Sequence, residues 1–410
     1  MEKSKEAPGT EERPESRKIL EGDKAIWAIL LFFGMISIIE VYSASANMTY
    51  KTSAYWQPVL QHTAYYLIGV AATVVVHKIP CRMFKMIPVI GIPVTIFMLV
   101  MALFSERVNN ASRWLEIGGI GFQPSEIAKV VLIVTVAMIL SGMRNEHGAQ
   151  TRAFKWVLGI TSLFCLLIVP ENFSTAGIIF LVILMMMFVG EVRWVQLGTL
   201  LGIIFICAAA LIILLRFTTP KTITSLSELP GLHRLPTWVG RLNNSAADTN
   251  KETLNATYIS EHLQETHARI AIATCNVIGR GPGNSVERDF LPQSFSDFIY
   301  AIIFEELGFF GGFIVMLLYI ILLFRCARIA SRCERPFPAL LVMGLSLMLV
   351  TQAMINMAVA VGLFPVTGQP LPLISKGGTS TMINCIYMGM ILSVSRSAKR
   401  RTNTQKASTF

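Results

Sequence analysis

The apolar residues of this chain come in long runs with few charges between them. A bilayer core about 30 Å thick needs roughly 20 apolar residues per helix. By that measure about ten spans are predicted, at residues 25–45, 58–77, 86–104, 124–142, 155–170, 174–190, 194–215, 300–324, 337–361 and 378–395. The fifth and sixth nearly abut at Pro170. The pattern predicts an all-α, polytopic membrane protein with one long outer loop between spans seven and eight. It divides the chain into a cytoplasmic N-terminal tail (1–24), helices one to seven (25–215), a large loop (216–299), helices eight to ten (300–395) and a cytoplasmic C-terminal tail (396–410).

Composition supports this. Of 410 residues, 53% are hydrophobic and 15% charged, against roughly 25% charged in a soluble domain. A soluble fold would expose large apolar patches, so lipid is the expected solvent. The excess of 35 Lys+Arg over 25 Asp+Glu reads as anchoring of cytoplasmic loops and not as a nucleic-acid surface. With the N-terminus inside, the inner ends and tails hold 22 Lys and Arg, while the short outer loops hold only Lys51, Arg107, Arg113 and Lys376. Both termini are therefore expected in the cytoplasm. A polar leader precedes the first span, which is expected to serve as its own targeting signal. The seven cysteines show no disulfide framework or zinc spacing.

The loop of about 80 residues between spans seven and eight is long enough to be functional or disordered. Residues 225–252 are polar and punctuated by Pro and Gly, as a connector would be. Residues 258–278 mix apolar positions with Glu261, Glu265, His267 and Arg269, which predicts an interfacial helix.

Charges inside or at the edge of apolar spans are costly and mark function. Span four opens Gln123-Pro124-Ser125-Glu126-Ile127-Ala128-Lys129. Pro124 suits a helix start, and Glu126 and Lys129 fall on one face. The plainer explanation is a snorkelling lysine paired with its neighbouring acid. In span eight, a continuous helix from Asp297 to Phe324 would be about 42 Å long. That puts Glu305 and Glu306 at the outer hydrocarbon edge and Asp297 at headgroup level, with positions 297, 301 and 305 on one face. The plainer reading there is an N-terminal acid favoured by the macrodipole. Residues Gly279 to Ser285 offer turn-forming glycines and backbone amides suited to an anion, without the ending of a nucleotide P-loop. The last outer segment, Pro365 to Ser380, is irregular backbone of the kind that lines a wet cavity.

Taken in order, these runs resemble the SEDS family of FtsW/RodA-type peptidoglycan glycosyltransferases across nearly all ten spans. The matching residues are Arg113-Trp114; Gln123 through Lys129; Gly279 to Ser285; Leu291-Pro292 with Ser296-Asp297-Phe298-Ile299 and Glu305-Glu306-Leu307-Gly308; Gln352 and Asn356; and Pro365 through Gly378. The chain departs from the family at Gln293 and Phe295, at Lys376, and after span five, where Pro170 to Thr175 is one residue longer.

The resemblance implies polymerisation of lipid II. The 4-hydroxyl of one unit attacks the anomeric carbon of a lipid-linked sugar, with Asp297 as base. It implies substrate contacts at Arg113, Glu126, Lys129, Arg280, Ser285, Ser296, Glu305, Glu306 and Lys376. A divalent cation, Mg or Mn, is implied, with Asp297 as a ligand. The implied partners are a class B penicillin-binding protein transpeptidase and other divisome membrane proteins. The implied location is the bacterial inner membrane, at the division septum. The basic N-terminus and the wording of the glycine and Leu-Pro-Leu-Ile-Ser runs favour the FtsW branch over the RodA branch. A lipid flippase and a different membrane polysaccharide polymerase or ligase are the alternatives.

Overall fold

The computed structural model describes residues 21–45, 57–104, 115–117, 120–145, 148–170, 172–217, 263–291 and 296–407. Among these, every predicted apolar run is a helix: α1 (Lys24–Ser45), α2 (Gln57–Val76), α3 (Ile87–Leu103), α4 (Pro124–Gly142), α5 (Thr151–Ile168), α6 (Phe173–Val189), α7 (Trp194–Phe217), α9 (Ile299–Ser331), α10 (Pro336–Ala360) and α11 (Thr379–Ala407). A shorter helix, α8 (Leu263–Ala273), comes from the long loop. Seven of the helices, α1 to α5 with α9 and α10, are long and apolar enough to cross a membrane, and α6 is a shorter apolar helix. The chain is thus an all-α, multi-pass protein with at least seven such helices. Two short hairpins flank α4, pairing Leu115–Ile117 with Ile120–Phe122 and Arg144–Asn145 with Gly148–Ala149.

Helix starts follow the expected chemistry. Pro124 and Pro336 occupy first-turn positions, where the missing N–H costs nothing. Asn172 caps α6 by accepting from the Thr175 N–H at 3.1 Å.

The bundle is apolar outside and buries a set of polar side chains within a largely apolar core. Leu31, Phe32, Phe97, Trp156, Phe205 and Phe310 are exposed, while Glu40, Glu126, Lys129, Gln352 and Asn356 are buried. Lipid offers no hydrophobic drive between helices, so small residues and interhelical hydrogen bonds hold them. At the α2–α11 contact, Gly69 packs on Cys385 and Gly389 on Thr73. That approach lets the Thr73 hydroxyl donate to the Cys385 carbonyl at 2.7 Å.

The two ends of the bundle differ. At one, Arg325 pairs with Asp23, Arg396 donates to the Lys78 carbonyl at 2.8 Å, and Arg144 pairs with Glu191 at 2.7 Å. These are the ends predicted to face the cytoplasm. The opposite end gathers Ser43, Asn172, Asp297 and the segment from Gly362 to Gly378.

Helix α9 departs from expectation twice. It begins at Ile299, with Phe298 as its N-cap. Asp297 therefore precedes the helix and does not share a helical face with Ala301 and Glu305. Gly308 then breaks the helix, with φ 74° and ψ −174°. Three of the backbone groups freed there are caught. The Glu305 and Glu306 carbonyls accept from Arg280 N–H at 3.0 Å and Gly281 N–H at 2.8 Å, and Phe309 N–H donates to the Asn276 carbonyl at 3.1 Å. Irregular backbone persists at membrane depth only when satisfied in this way. The approach is backbone on backbone, because a Cβ on Gly308 would lie 2.4 Å from Gly279 N.

The α8 helix packs on this unit, burying Ala268 and Ala271 against Phe298, Ala301 and Ile302. The second half of the long loop is thus folded onto α9.

Gly308→Ala therefore carries both left-handed backbone strain and a collision. Gly283, at φ 87° with nothing near its would-be Cβ, carries strain alone, on the order of 1–2 kcal/mol. Thermal unfolding in detergent should show a clearly larger loss for Gly308→Ala than for Gly283→Ala. Equal losses would contradict the clasp.

Candidate active site

Asp297 lies half-buried in the turn before α9 and is held from several sides. Its carboxylate Oδ1 accepts from the Ser296 hydroxyl at 2.9 Å. The Ser296 carbonyl accepts from the Ser375 hydroxyl at 2.6 Å, and the Asp297 carbonyl from the Asn356 amide at 2.8 Å. Its other oxygen lies beside Gly368, 3.7 Å from where a Cβ there would sit. Fixing the backbone on both sides of a carboxylate is how a reactive group is kept in place without losing its face.

The segment from Gly362 to Gly378 forms the other wall. Asn356 also donates to the Gln369 carbonyl at 2.7 Å, and Gln369 donates to the Thr175 hydroxyl at 2.9 Å. Gln352 donates to the Pro370 carbonyl at 3.1 Å. Leu373 is held at φ 66°, a conformation costly for a leucine. Its neighbours are pinned: Tyr319 donates to the Pro372 carbonyl, and Ser37 donates to the Ile374 carbonyl at 2.6 Å. Four helices, α1, α6, α9 and α10, thus secure this one segment.

Lys129 joins the network from below. Its ammonium pairs with Glu126 at 2.7 Å and donates to Gln352 Oε1 at 2.9 Å, and the two side chains are only 2% and 3% exposed. The i,i+3 pair expected from the sequence is present. Lys129 reaches the Gly362–Gly378 segment through Gln352, which donates to the Pro370 carbonyl.

Glu305 and Glu306 belong to a second centre, where both are fully buried. Glu305 pairs with Arg280 at 3.0 Å and accepts from the Ser285 hydroxyl at 2.5 Å and the Val286 N–H at 2.9 Å. Glu306 accepts from the Ser43 hydroxyl, from Gly283 N–H at 3.0 Å and from Ser285 N–H at 3.3 Å. The amides of the glycine run, which suit an anion, therefore hold the protein's own carboxylates. Arg280, Ser285, Glu305 and Glu306 come together here, as a clamp closing the loop on the α9 break.

Lys376, near the end of that segment, lies near His62, and burial pushes its ammonium below the ordinary lysine value. Arg113 lies outside the described residues. Glu40, Ser43 and Arg288 escape the sequence reading. Glu40 carries the same signal as Lys129, an ionisable group inside an apolar run. Arg288 donates to the Ser43 carbonyl at 3.1 Å, a contact between distant segments that no local pattern announces.

Among the described residues no three His, Cys, Asp or Glu side chains come together as a metal cage. A single carboxylate such as Asp297 fits a cation that draws most of its coordination from phosphate oxygens and water, as Mg does at phosphate sites.

A family model described as cell cycle protein, covering FtsW, RodA and SpoVE, matches residues 23–400. A protein of Halomonas elongata named as a probable peptidoglycan glycosyltransferase FtsW is 31% identical over 90% of this chain and 89% of its own. Its namesake in Coxiella burnetii is 28% identical over 90% of this chain and 95% of its own, and that in Bacillus subtilis is 33% identical over 74% and 72%. Two solved structures share the fold. A chain from a peptidoglycan synthase complex that coordinates polymerization and crosslinking aligns with TM-score 0.68 at 20% identity, covering 92% of this chain and 98% of that one. The rod shape determining protein RodA of Thermus thermophilus aligns with TM-score 0.60 at 19% identity, covering 92% and 97%. With the family match running from before α1 to within α11, the chain belongs to the SEDS family of FtsW, RodA and SpoVE cell-cycle proteins.

Proposed function

We propose that this protein polymerises lipid II into glycan strands, as an inner-membrane peptidoglycan glycosyltransferase of septal, FtsW-type wall synthesis. The observation that carries the reading is the half-buried Asp297 carboxylate of a SEDS-family chain, bonded by the Ser296 hydroxyl and with its backbone fixed by Ser375 at the Ser296 carbonyl and by Asn356 at its own carbonyl. Ten membrane spans with both termini in the cytoplasm would set that wall at the outer leaflet, where the lipid-linked sugars stand.

The reaction needs a base at the acceptor hydroxyl and positive charge at the departing pyrophosphate. Asp297 takes the proton of the 4-hydroxyl as its oxygen bonds to the anomeric carbon. The bond from that carbon to the pyrophosphate breaks, and undecaprenyl pyrophosphate leaves with the electron pair. Lys376 and Arg113 are suited to approach the pyrophosphate. Lys129 acts from behind the wall, holding Gln352 and through it the Pro370 carbonyl. A divalent cation held by Asp297 would supply charge neutralisation to the pyrophosphate oxygens. A class B penicillin-binding protein is the proposed transpeptidase partner, within a divisome assembly.

Asp297→Asn keeps the shape and the Ser296 contact but removes the base. Polymerisation of purified lipid II should fall by at least about 100-fold, the scale of lost general-base catalysis, with thermal stability unchanged. Near-wild-type polymer from a folded variant would remove Asp297 from the chemistry.

A second test concerns Lys129. Losing a buried charge-assisted contact costs a few kcal/mol, and each 1.4 kcal/mol is about tenfold in rate. Lys129→Met should therefore depress polymerisation by roughly 100-fold. If Lys129 serves only to neutralise Glu126, the double variant Glu126→Gln/Lys129→Met would restore both stability and rate. We expect the double variant to regain stability while polymerisation stays low.

A further inference from the structure

Among the described residues Glu40 is a buried carboxylate with both oxygens open. It lies on α1, fully buried, and neither carboxylate oxygen has a hydrogen-bond partner. Leaving a carboxylate dry and unpaired is among the most costly arrangements a membrane interior can hold. Such groups persist where something neutralises them. The described side chains nearest Glu40 along α1 and on α9 are engaged elsewhere or are themselves acidic. Ser43, one turn above on the same helix, gives its hydroxyl to Glu306 and also accepts from Arg288 at 3.2 Å. Glu306, on α9, is itself an acid electrostatically coupled to Glu40. Ser37, one turn below, is engaged with His62 of α2 at 2.7 Å and with the Ile374 carbonyl.

Counting charge gives the same answer. Three carboxylates, Glu40, Glu305 and Glu306, meet two guanidinium groups. Arg280 is paired with Glu305 at 3.0 Å, and Arg288 is at Ser43 and the Gly283 carbonyl, each 3.1 Å away. The adjoining His267–Glu287 pair, at 2.6 Å, is self-contained. Among the described residues the acids of this centre outnumber the guanidinium groups by one, and the open oxygens are those of Glu40.

We propose that Glu40, with Glu306 and Ser43 beside it, is a binding site for one monovalent cation, taken up as a proton or as a sodium ion. The site lies beneath the glycine loop, so its occupancy bears on the clamp. With the charge present, Glu306 keeps Gly283 and Ser285. With it absent, Glu40 repels Glu306 and loosens the loop from the α9 break. The inference stands independently of the reaction assigned to Asp297, because its readouts do not use catalysis.

The test uses full-length protein in detergent. Thermal midpoints are measured from pH 6 to pH 9, in sodium chloride or choline chloride at equal ionic strength, for the wild type and Glu40→Gln. A bound cation stabilises the folded state while it is available, so stability is present at low pH or high sodium and falls as both are withdrawn. One linked charge changes stability by up to about 1.4 kcal/mol per tenfold change in cation, a midpoint shift of about 1–2 °C for a chain of this length. Glu40→Gln is neutral at every pH and should lack that shift.

A pH slope in choline that Glu40→Gln abolishes supports the site with a proton as occupant. A sodium-specific stabilisation lost in the variant supports it with sodium. Identical responses of the two proteins to pH and to sodium overturn it. Should Glu40→Gln fail to fold, the wild type is treated in sodium-free detergent at pH 6 with dicyclohexylcarbodiimide, which modifies membrane-buried carboxyl groups. Modification of Glu40, found by mass spectrometry, supports the site, and protection by added sodium identifies the ion. An unmodified Glu40 overturns the proposal.

Discussion

The break in α9 at Gly308 is the constraint on which the outer end of this bundle depends. A helix that loses its ladder at membrane depth must place its freed carbonyls elsewhere or pay for them unsatisfied. Here Arg280 and Gly281 supply the missing N–H groups, and Asn276 takes the one from Phe309. The carboxylates of Glu305 and Glu306 then complete the fastening through Ser285, Gly283 and Val286. One turn of non-helical backbone thereby ties the loop, α8 and both halves of α9 into a unit.

That unit sets where Asp297 can be. The first half of α9 runs only from Ile299 to the break. Its lower end is fixed by the clamp, and the turn above it by Asn356 and Ser375. The opposite wall hangs on Gln352 and Gln369, so the buried Lys129–Glu126 pair supports that segment through Gln352. The polar interior is therefore two joined centres, one at Asp297 and one at the clamp, with Glu40 under the second.

Much of this was legible in the sequence. Bilayer thickness dictates run length, so apolar runs became helices with bounds close to those expected; Pro124 and Pro336 mark two starts. The Glu126–Lys129 pair followed from spacing. The break did not, because a glycine inside an apolar run looks the same whether φ is negative or positive. A continuous span eight was the natural reading, and it wrongly set Asp297 on a helical face with Glu305. The glycine run looked like an anion nest, and the structure fills it with the chain's own acids, a long-range pairing that no local pattern reveals. Glu40 was legible by the rule that found Lys129, but the lack of a partner shows only in three dimensions.

Loop and broken helix form one cooperative unit that carries Asp297. Amide hydrogen exchange of the full-length protein in detergent puts this to the test. The amides of Arg280, Gly281, Gly283 and Phe309 should be protected and should open together with the first half of α9. Loop amides exchanging at the rate of unstructured peptide while that half-helix stays protected would contradict it.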